Sequence, residues 1–124
     1  MLGLLLVDHG SRRMEANRQL EEMAAHLRRL RPDDLVAIAH LELCPPDIQQ
    51  AISDLAGRGV DAIHVLPYFL SDGRHSQQDI PRHCQQAAAL HPHLAIQVHP
   101  VLGPHALLAQ VLLERSGLTP GGGA

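Results

Sequence analysis

The fold is decided by the opening stretch Leu2-Gly3-Leu4-Leu5-Leu6-Val7, which runs directly into Asp8-His9-Gly10-Ser11. A short apolar run that ends in a turn containing glycine is typical of a central parallel strand covered on both faces. The run is too short for a membrane span and lacks the basic lead segment of a signal peptide. It therefore predicts a buried first strand followed by a loop that carries His9.

Strand and helix patterns alternate four times along the chain. Further strands are predicted at 35–41, 62–67 and 94–98, and helices at about 14–30, around the apolar stripe 48–55, at about 78–90 and at about 104–115. Right-handed crossovers make this alternation an α/β doubly wound, flavodoxin-like domain. We expect a four-stranded parallel sheet of order 2-1-3-4 with helices on both faces. The predicted domain spans 1–118, and 119–124 is expected to be a flexible C-terminal tail.

Composition limits the class of protein. The 124 residues suit one globular domain, and a formal net charge of -3 gives no basic surface for nucleic acid. All ten cationic residues are arginine. Cys44 and Cys84 are too few and too far apart for a zinc motif or a secreted disulfide framework, so reduced thiols in a cytoplasm are expected.

Two histidines follow strands that this topology makes neighbours. His9 lies after the first predicted strand, and His75 lies on the predicted loop 68–77 after the third, while Glu42 follows the second. Loops at the carboxyl ends of parallel strands share one rim, where ligands bind. Two imidazoles and a carboxylate there suit a labile divalent-metal site that also accepts protons. A histidine that only anchors its loop, and an exposed loop carboxylate, remain the alternatives.

Other polar and aromatic side chains flank these loops. Arginines and serines would line a rim suited to an anionic ligand, and two aromatic rings would either support a flat ligand or cap the core. The candidates for substrate binding are Ser11, Arg12, Tyr68, Phe69, Ser71 and Arg74. His99 and His105 are secondary candidates for the same crevice, whereas the positions of His40 and His64 within predicted strands favour structural or surface roles.

Three segments resemble the small sirohydrochlorin chelatases, which are class II tetrapyrrole chelatases. The segments are Leu4-Leu5-Leu6-Val7-Asp8-His9-Gly10-Ser11-Arg12, His40-Leu41-Glu42-Leu43-Cys44-Pro45-Pro46-Asp47-Ile48 and Val65-Leu66-Pro67-Tyr68-Phe69-Leu70-Ser71-Asp72-Gly73-Arg74-His75. Three motifs in this order are far more specific than any single His-Gly dipeptide. The resemblance covers most of residues 2–115.

The resemblance implies a lyase that inserts Co²⁺ or Fe²⁺ into sirohydrochlorin, in cobalamin or sirohaem synthesis, without an organic cofactor. His9 and His75 match the family's metal-binding and catalytic histidines, and Glu42 matches an assisting acidic position. Some short members insert Ni²⁺ instead. A homodimer that encloses the substrate clefts is implied, with sirohydrochlorin and the metal as partners. The negative net charge and the short first apolar run leave neither nucleic acid nor a membrane among the expected partners.

The residues by themselves leave two rival functions open. A non-enzymatic metal carrier would use the same imidazoles for storage or delivery. A phosphoryl-transfer enzyme would use a histidine nucleophile after the first strand, but such a site needs positive charge around the phosphate and Asp8 directly precedes His9. Insertion into a tetrapyrrole instead needs groups that release metal and accept two pyrrole protons.

Overall fold

A computed structural model describes residues 1–121, with the side chains of 74–76 left out. Strands and helices alternate throughout. The elements are β1 (Leu2–Asp8), α1 (Met14–Leu30), β2 (Leu35–His40), α2 (Ile48–Gly57), β3 (Ala62–Pro67), α3 (Arg74–Leu90), β4 (Ala95–Val98) and α4 (Ala106–Ser116). Residues 122–124 of the predicted tail lie outside the described residues.

The four strands form one parallel sheet in the order β2-β1-β3-β4. This confirms the predicted doubly wound arrangement. β1 lies between β2 and β3, with Asp8 opposite His40 and Val7 opposite Pro67. The carboxyl ends of β1, β2 and β3 therefore meet at one edge of the sheet.

Alternation along β1 divides the apolar core between the two faces of the sheet. Leu5 and Val7 pack with the buried side chains of α2 and α3, whereas Leu4 and Leu6 pack with Leu20 and the rest of the stripe on α1. Both faces of the central strand are covered, which explains its continuous apolar sequence. The core thus holds β1 rigidly, and His9 follows directly from its end.

Helix α3 begins earlier than the sequence pattern predicts. It starts at Arg74 instead of residue 78, so His75 lies in the first helical turn and not on the loop that was expected to carry it. The amide of Gln77 donates to the carbonyl of Gly73, 3.1 Å away, which closes this first turn. With this earlier start, Pro81 lies inside the helix.

Helix α4 stands apart from the rest of the molecule. No residue of α4 is buried, although it carries exposed Leu107, Val111 and Leu112. Its N-cap is His105, whose Nδ1 accepts a hydrogen bond from the amide of Leu107 at 3.0 Å.

Among the described residues, no helix combines the length and hydropathy needed to cross a membrane.

Candidate metal centre

The ladder between β1 and β2 continues past the strand ends and carries the first two candidate ligands. The amide of Leu41 donates to the carbonyl of Asp8 at 2.9 Å, and that of Glu42 donates to the carbonyl of His9 at 3.0 Å. His9 and Glu42 are therefore joined through the backbone as well as through their side chains. The spacing between the two loops is set by ordinary strand pairing.

Gly10 allows the two loops to approach this closely. Its φ is +94°, and a Cβ built there would lie 1.9 Å from the carbonyl oxygen of Glu42. No L side chain fits in that space. The buried amide of Asn17 fixes the same loop from α1: its Oδ1 accepts from the amide of Ser11 at 2.9 Å, and its Nδ2 donates to the Ser11 carbonyl at 2.8 Å.

The side chains of His9 and Glu42 form the centre itself. Nε2 of His9 lies 2.7 Å from Oε1 of Glu42, and both side chains are more than half exposed. They line a cavity of about 140 Å³ together with Leu41 and Asp79. We call this pair the His9–Glu42 centre. An open imidazole–carboxylate pair can bind a divalent cation, and it can also take up and release protons.

A second histidine–carboxylate pair lies directly behind this centre. Nδ1 of His40, which is 2% exposed, lies 2.6 Å from Oδ1 of Asp8. The amide of His40 also donates to the carbonyl of Pro46 at 2.8 Å. This anchors the ends of β1 and β2, and it confirms that His40 has a structural role.

The third predicted ligand is only partly described. The side chains of His75 and of Arg74 lie outside the described residues, so their predicted roles stay predictions. The backbone places both residues in the first turn of α3, which follows β3. Among the described side chains, no three His, Cys, Asp or Glu residues lie together as a metal site. Any fuller ligand set would need a further group.

The predicted substrate-binding residues divide into exposed and packed side chains. Arg12, Tyr68 and Ser71 are exposed, whereas Phe69 is partly buried against the main core. Phe69 thus takes the core-capping role that was left open for the aromatic pair. The Ser11 hydroxyl accepts from the amide of Arg13 at 3.0 Å, and so helps to shape the loop after His9.

Three other polar side chains have contacts that the sequence did not predict. His105 caps α4, which accounts for its position without a site. His99 contacts His64, with 2.6 Å between Nε2 and Nδ1. Asp79, which shares the cavity with His9, was missed. It was missed because the helix was expected to begin at about 78; with α3 beginning at Arg74, Asp79 lies four residues after His75 on the same face of the helix.

Comparisons with known proteins agree with the geometry. The chain is 38% identical over 113 residues to the chloroplastic sirohydrochlorin ferrochelatase of Arabidopsis thaliana, covering 91% of this chain and 50% of that one. It is 37% identical over 82 residues to the sirohydrochlorin cobaltochelatase of Methanopyrus kandleri, covering 66% of this chain and 57% of the relative. The chain thus spans about half the length of these relatives.

The fold matches a solved structure of similar length. A CbiX protein of Marinobacter aquaeolei VT8 superposes with a TM-score of 0.80 at 25% identity, covering 94% of this chain and 95% of that one. The resemblance noted in the sequence is confirmed by these relatives. The CbiX family model matches residues 3–117, so the chain belongs to the CbiX family.

Proposed function

We propose that this protein is a sirohydrochlorin chelatase that inserts Co²⁺ or Fe²⁺ into the tetrapyrrole. The observation that carries the proposal is the His9–Glu42 centre, with 2.7 Å between Nε2 and Oε1 at the open rim of the sheet. Two relatives named as sirohydrochlorin chelatases support the choice of substrate. The metal ion is a substrate here, and no organic cofactor is required.

The centre suits the chemistry because insertion exchanges one divalent cation for two pyrrole protons. Neutral His9 offers the incoming ion a lone pair at Nε2 in the tautomer that carries its proton on Nδ1, and Glu42 offers a carboxylate oxygen. Once the ion passes to the ring nitrogens, the same two groups are free to accept the displaced protons and release them to water. Both side chains are more than half exposed, so exchange with solvent is direct.

We assign His75 as a further metal ligand, since α3 starts after β3 beside the strand that carries His9. Sirohydrochlorin is a multiple carboxylate, and an arginine binds carboxylates through its planar fork. Exposed Arg12 is placed one residue beyond Ser11 on the His9 loop and serves this purpose, as does Arg74. Exposed Tyr68 offers the macrocycle an aromatic face.

We further propose that the protein acts as a homodimer through α4. This helix leaves Leu107, Val111 and Leu112 exposed and buries no residue. Large exposed apolar patches commonly mark interaction surfaces. The Arabidopsis relative is about twice as long as the matched region, which leaves room in one chain for a second unit. Leu112→Glu should dissociate the dimer in analytical ultracentrifugation, whereas Leu118→Glu, beyond the helix, serves as the control.

The activity is tested by mixing the purified protein with sirohydrochlorin and one metal at a time under anaerobic conditions. Co²⁺ and Fe²⁺ should each be inserted faster than in protein-free buffer, and Ni²⁺ tests the alternative metal specificity. A cytoplasmic location would supply the reducing conditions that Fe²⁺ and the two free thiols need. Metal binding without any acceleration of insertion would refute the chelatase and favour a metal carrier.

A further inference from the structure

His64 and His99 bring two imidazole nitrogens together outside the centre already described. Nδ1 of His64 lies 2.6 Å from Nε2 of His99, the ring centroids are 4.9 Å apart and the ring planes differ by 19°. The nitrogens are much closer than the centroids. The rings therefore meet edge to edge, with the lone pair of one nitrogen directed at the N–H of the other.

Strand pairing holds the two rings at this position. His64 lies opposite Gln97 in the β3–β4 ladder, and the amide of His99 donates to the carbonyl of Val65 at 3.0 Å. Residues two apart in a strand share a face, so residue 99 follows Gln97 on the face that carries His64. The backbone thus fixes both histidines before any ligand arrives.

The pair is separate from the His9–Glu42 centre. His64 lies opposite Leu4, five residues before His9 on β1. At about 3.3 Å per residue along a strand, the two positions are roughly 16 Å apart. His99 also lines a cavity of about 220 Å³ whose polar side chains include Asp72 and Gln77.

We propose that His64 and His99 form a second site for a divalent transition-metal ion, with Nδ1 of His64 and Nε2 of His99 as its protein ligands. Metal–imidazole bonds of about 2.0–2.1 Å at a tetrahedral angle need nitrogens a little over 3 Å apart. The rings must therefore separate by about 0.7 Å from their present contact and turn so that both lone pairs point at the ion. Both side chains are only half-buried, so this movement is small and water can complete the coordination.

The proton balance of binding follows from the hydrogen bond that the ion replaces. With both rings neutral, one of the two facing nitrogens carries a proton. When the ion takes both lone pairs, that proton moves to the other nitrogen of its own ring, and no proton is released. Ion binding at His64 and His99 requires no tetrapyrrole, so it can be tested independently of chelatase activity.

The test is isothermal titration of untagged protein with CoCl₂. The background is the His9→Ala/Glu42→Gln/His75→Ala variant, which removes the proposed insertion centre. This variant should retain one Co²⁺ site, and the visible absorption of the bound ion should report imidazole ligation. Adding His64→Gln or His99→Gln should weaken the remaining site by at least about tenfold, since a two-imidazole site then keeps only one.

The matched control is His93→Gln in the same background. His93 also neighbours a histidine, but the ring centroids of His91 and His93 are 6.5 Å apart and the rings are nearly perpendicular. His93→Gln should leave Co²⁺ binding unchanged. Absence of binding in the background variant, or binding that survives both His64→Gln and His99→Gln, would overturn the proposal. If His64→Gln fails to fold, His99→Gln decides, because His99 lies beyond the end of β4.

Discussion

Replacement of Gly10 by alanine should separate the two halves of the proposed insertion centre. The new Cβ would lie 1.9 Å from the Glu42 carbonyl oxygen, whereas real Cβ contacts essentially never fall below 3.0 Å. The loops must therefore move apart by at least 1.1 Å, which breaks the 3.0 Å hydrogen bond between the Glu42 amide and the His9 carbonyl. The lost hydrogen bond costs about 1 kcal/mol, and a left-handed conformation in a residue with a Cβ costs about 1–2 kcal/mol more.

The expected loss is therefore about 2–3 kcal/mol, or roughly 8–12 °C in Tm for a domain of this size. Urea unfolding followed by circular dichroism measures the first quantity, and the anaerobic Co²⁺ insertion assay measures the accompanying loss of turnover. Gly59→Ala is a matched control, because Gly59 has the same φ of +94° and a Cβ there meets nothing within 4 Å. It should cost only about 1–2 kcal/mol and leave turnover intact. If Gly10→Ala lowers the free energy of unfolding no more than Gly59→Ala and keeps full turnover, the close contact between the loops is not required for stability or for insertion.

Three further predictions concern individual side chains. His9→Ala should reduce the rate of metal insertion by about 100-fold or more, and Glu42→Gln should reduce it by less. Because both side chains are exposed, the free energy of unfolding should stay within about 0.5 kcal/mol of the parent. A normal insertion rate in either variant would remove that residue from the mechanism. His40→Ala should lower stability by about 3 kcal/mol in urea, since it leaves a cavity and removes the partner of the Asp8 carboxylate; a change below 1 kcal/mol would contradict the pairing. Burial raises the pKa of Cys84 from 9.0 to about 11, so the folded state holds its proton more tightly than the unfolded state. Stability should be fully retained below pH 9 and fall by roughly 2–3 kcal/mol as pH rises to 11, and Cys84→Ala should abolish this part of the decline.

The order of the sheet was predictable because each strand has its own apolar sequence pattern and is followed by a helical pattern. The continuous run at Leu2–Val7 indicates a strand covered on both faces, and right-handed crossovers leave few other arrangements for four such units. The meeting of His9 and Glu42 followed from that order alone. Their separation of 2.7 Å did not, because it depends on the extension of the ladder and on Gly10.

Features that depend on register or on helix ends were less accessible to sequence reasoning. The start of α3 at Arg74 was missed because Ser71-Asp72-Gly73 has the composition of a loop that continues into the histidine. The contact between His64 and His99 depends on pairing between β3 and the short β4, which local periodicity does not specify. The Asp8–His40 pair likewise needs the register of β1 against β2.

The continuation of the β1–β2 ladder through His9 and Glu42 restricts how an ion can leave the protein. These hydrogen bonds hold the main chain of both residues, so neither loop can swing toward the macrocycle. Transfer must then proceed by stepwise ligand exchange while the tetrapyrrole does the moving and bending. Amide hydrogen exchange should accordingly be slow at Leu41 and Glu42, and should stay unchanged when the macrocycle binds.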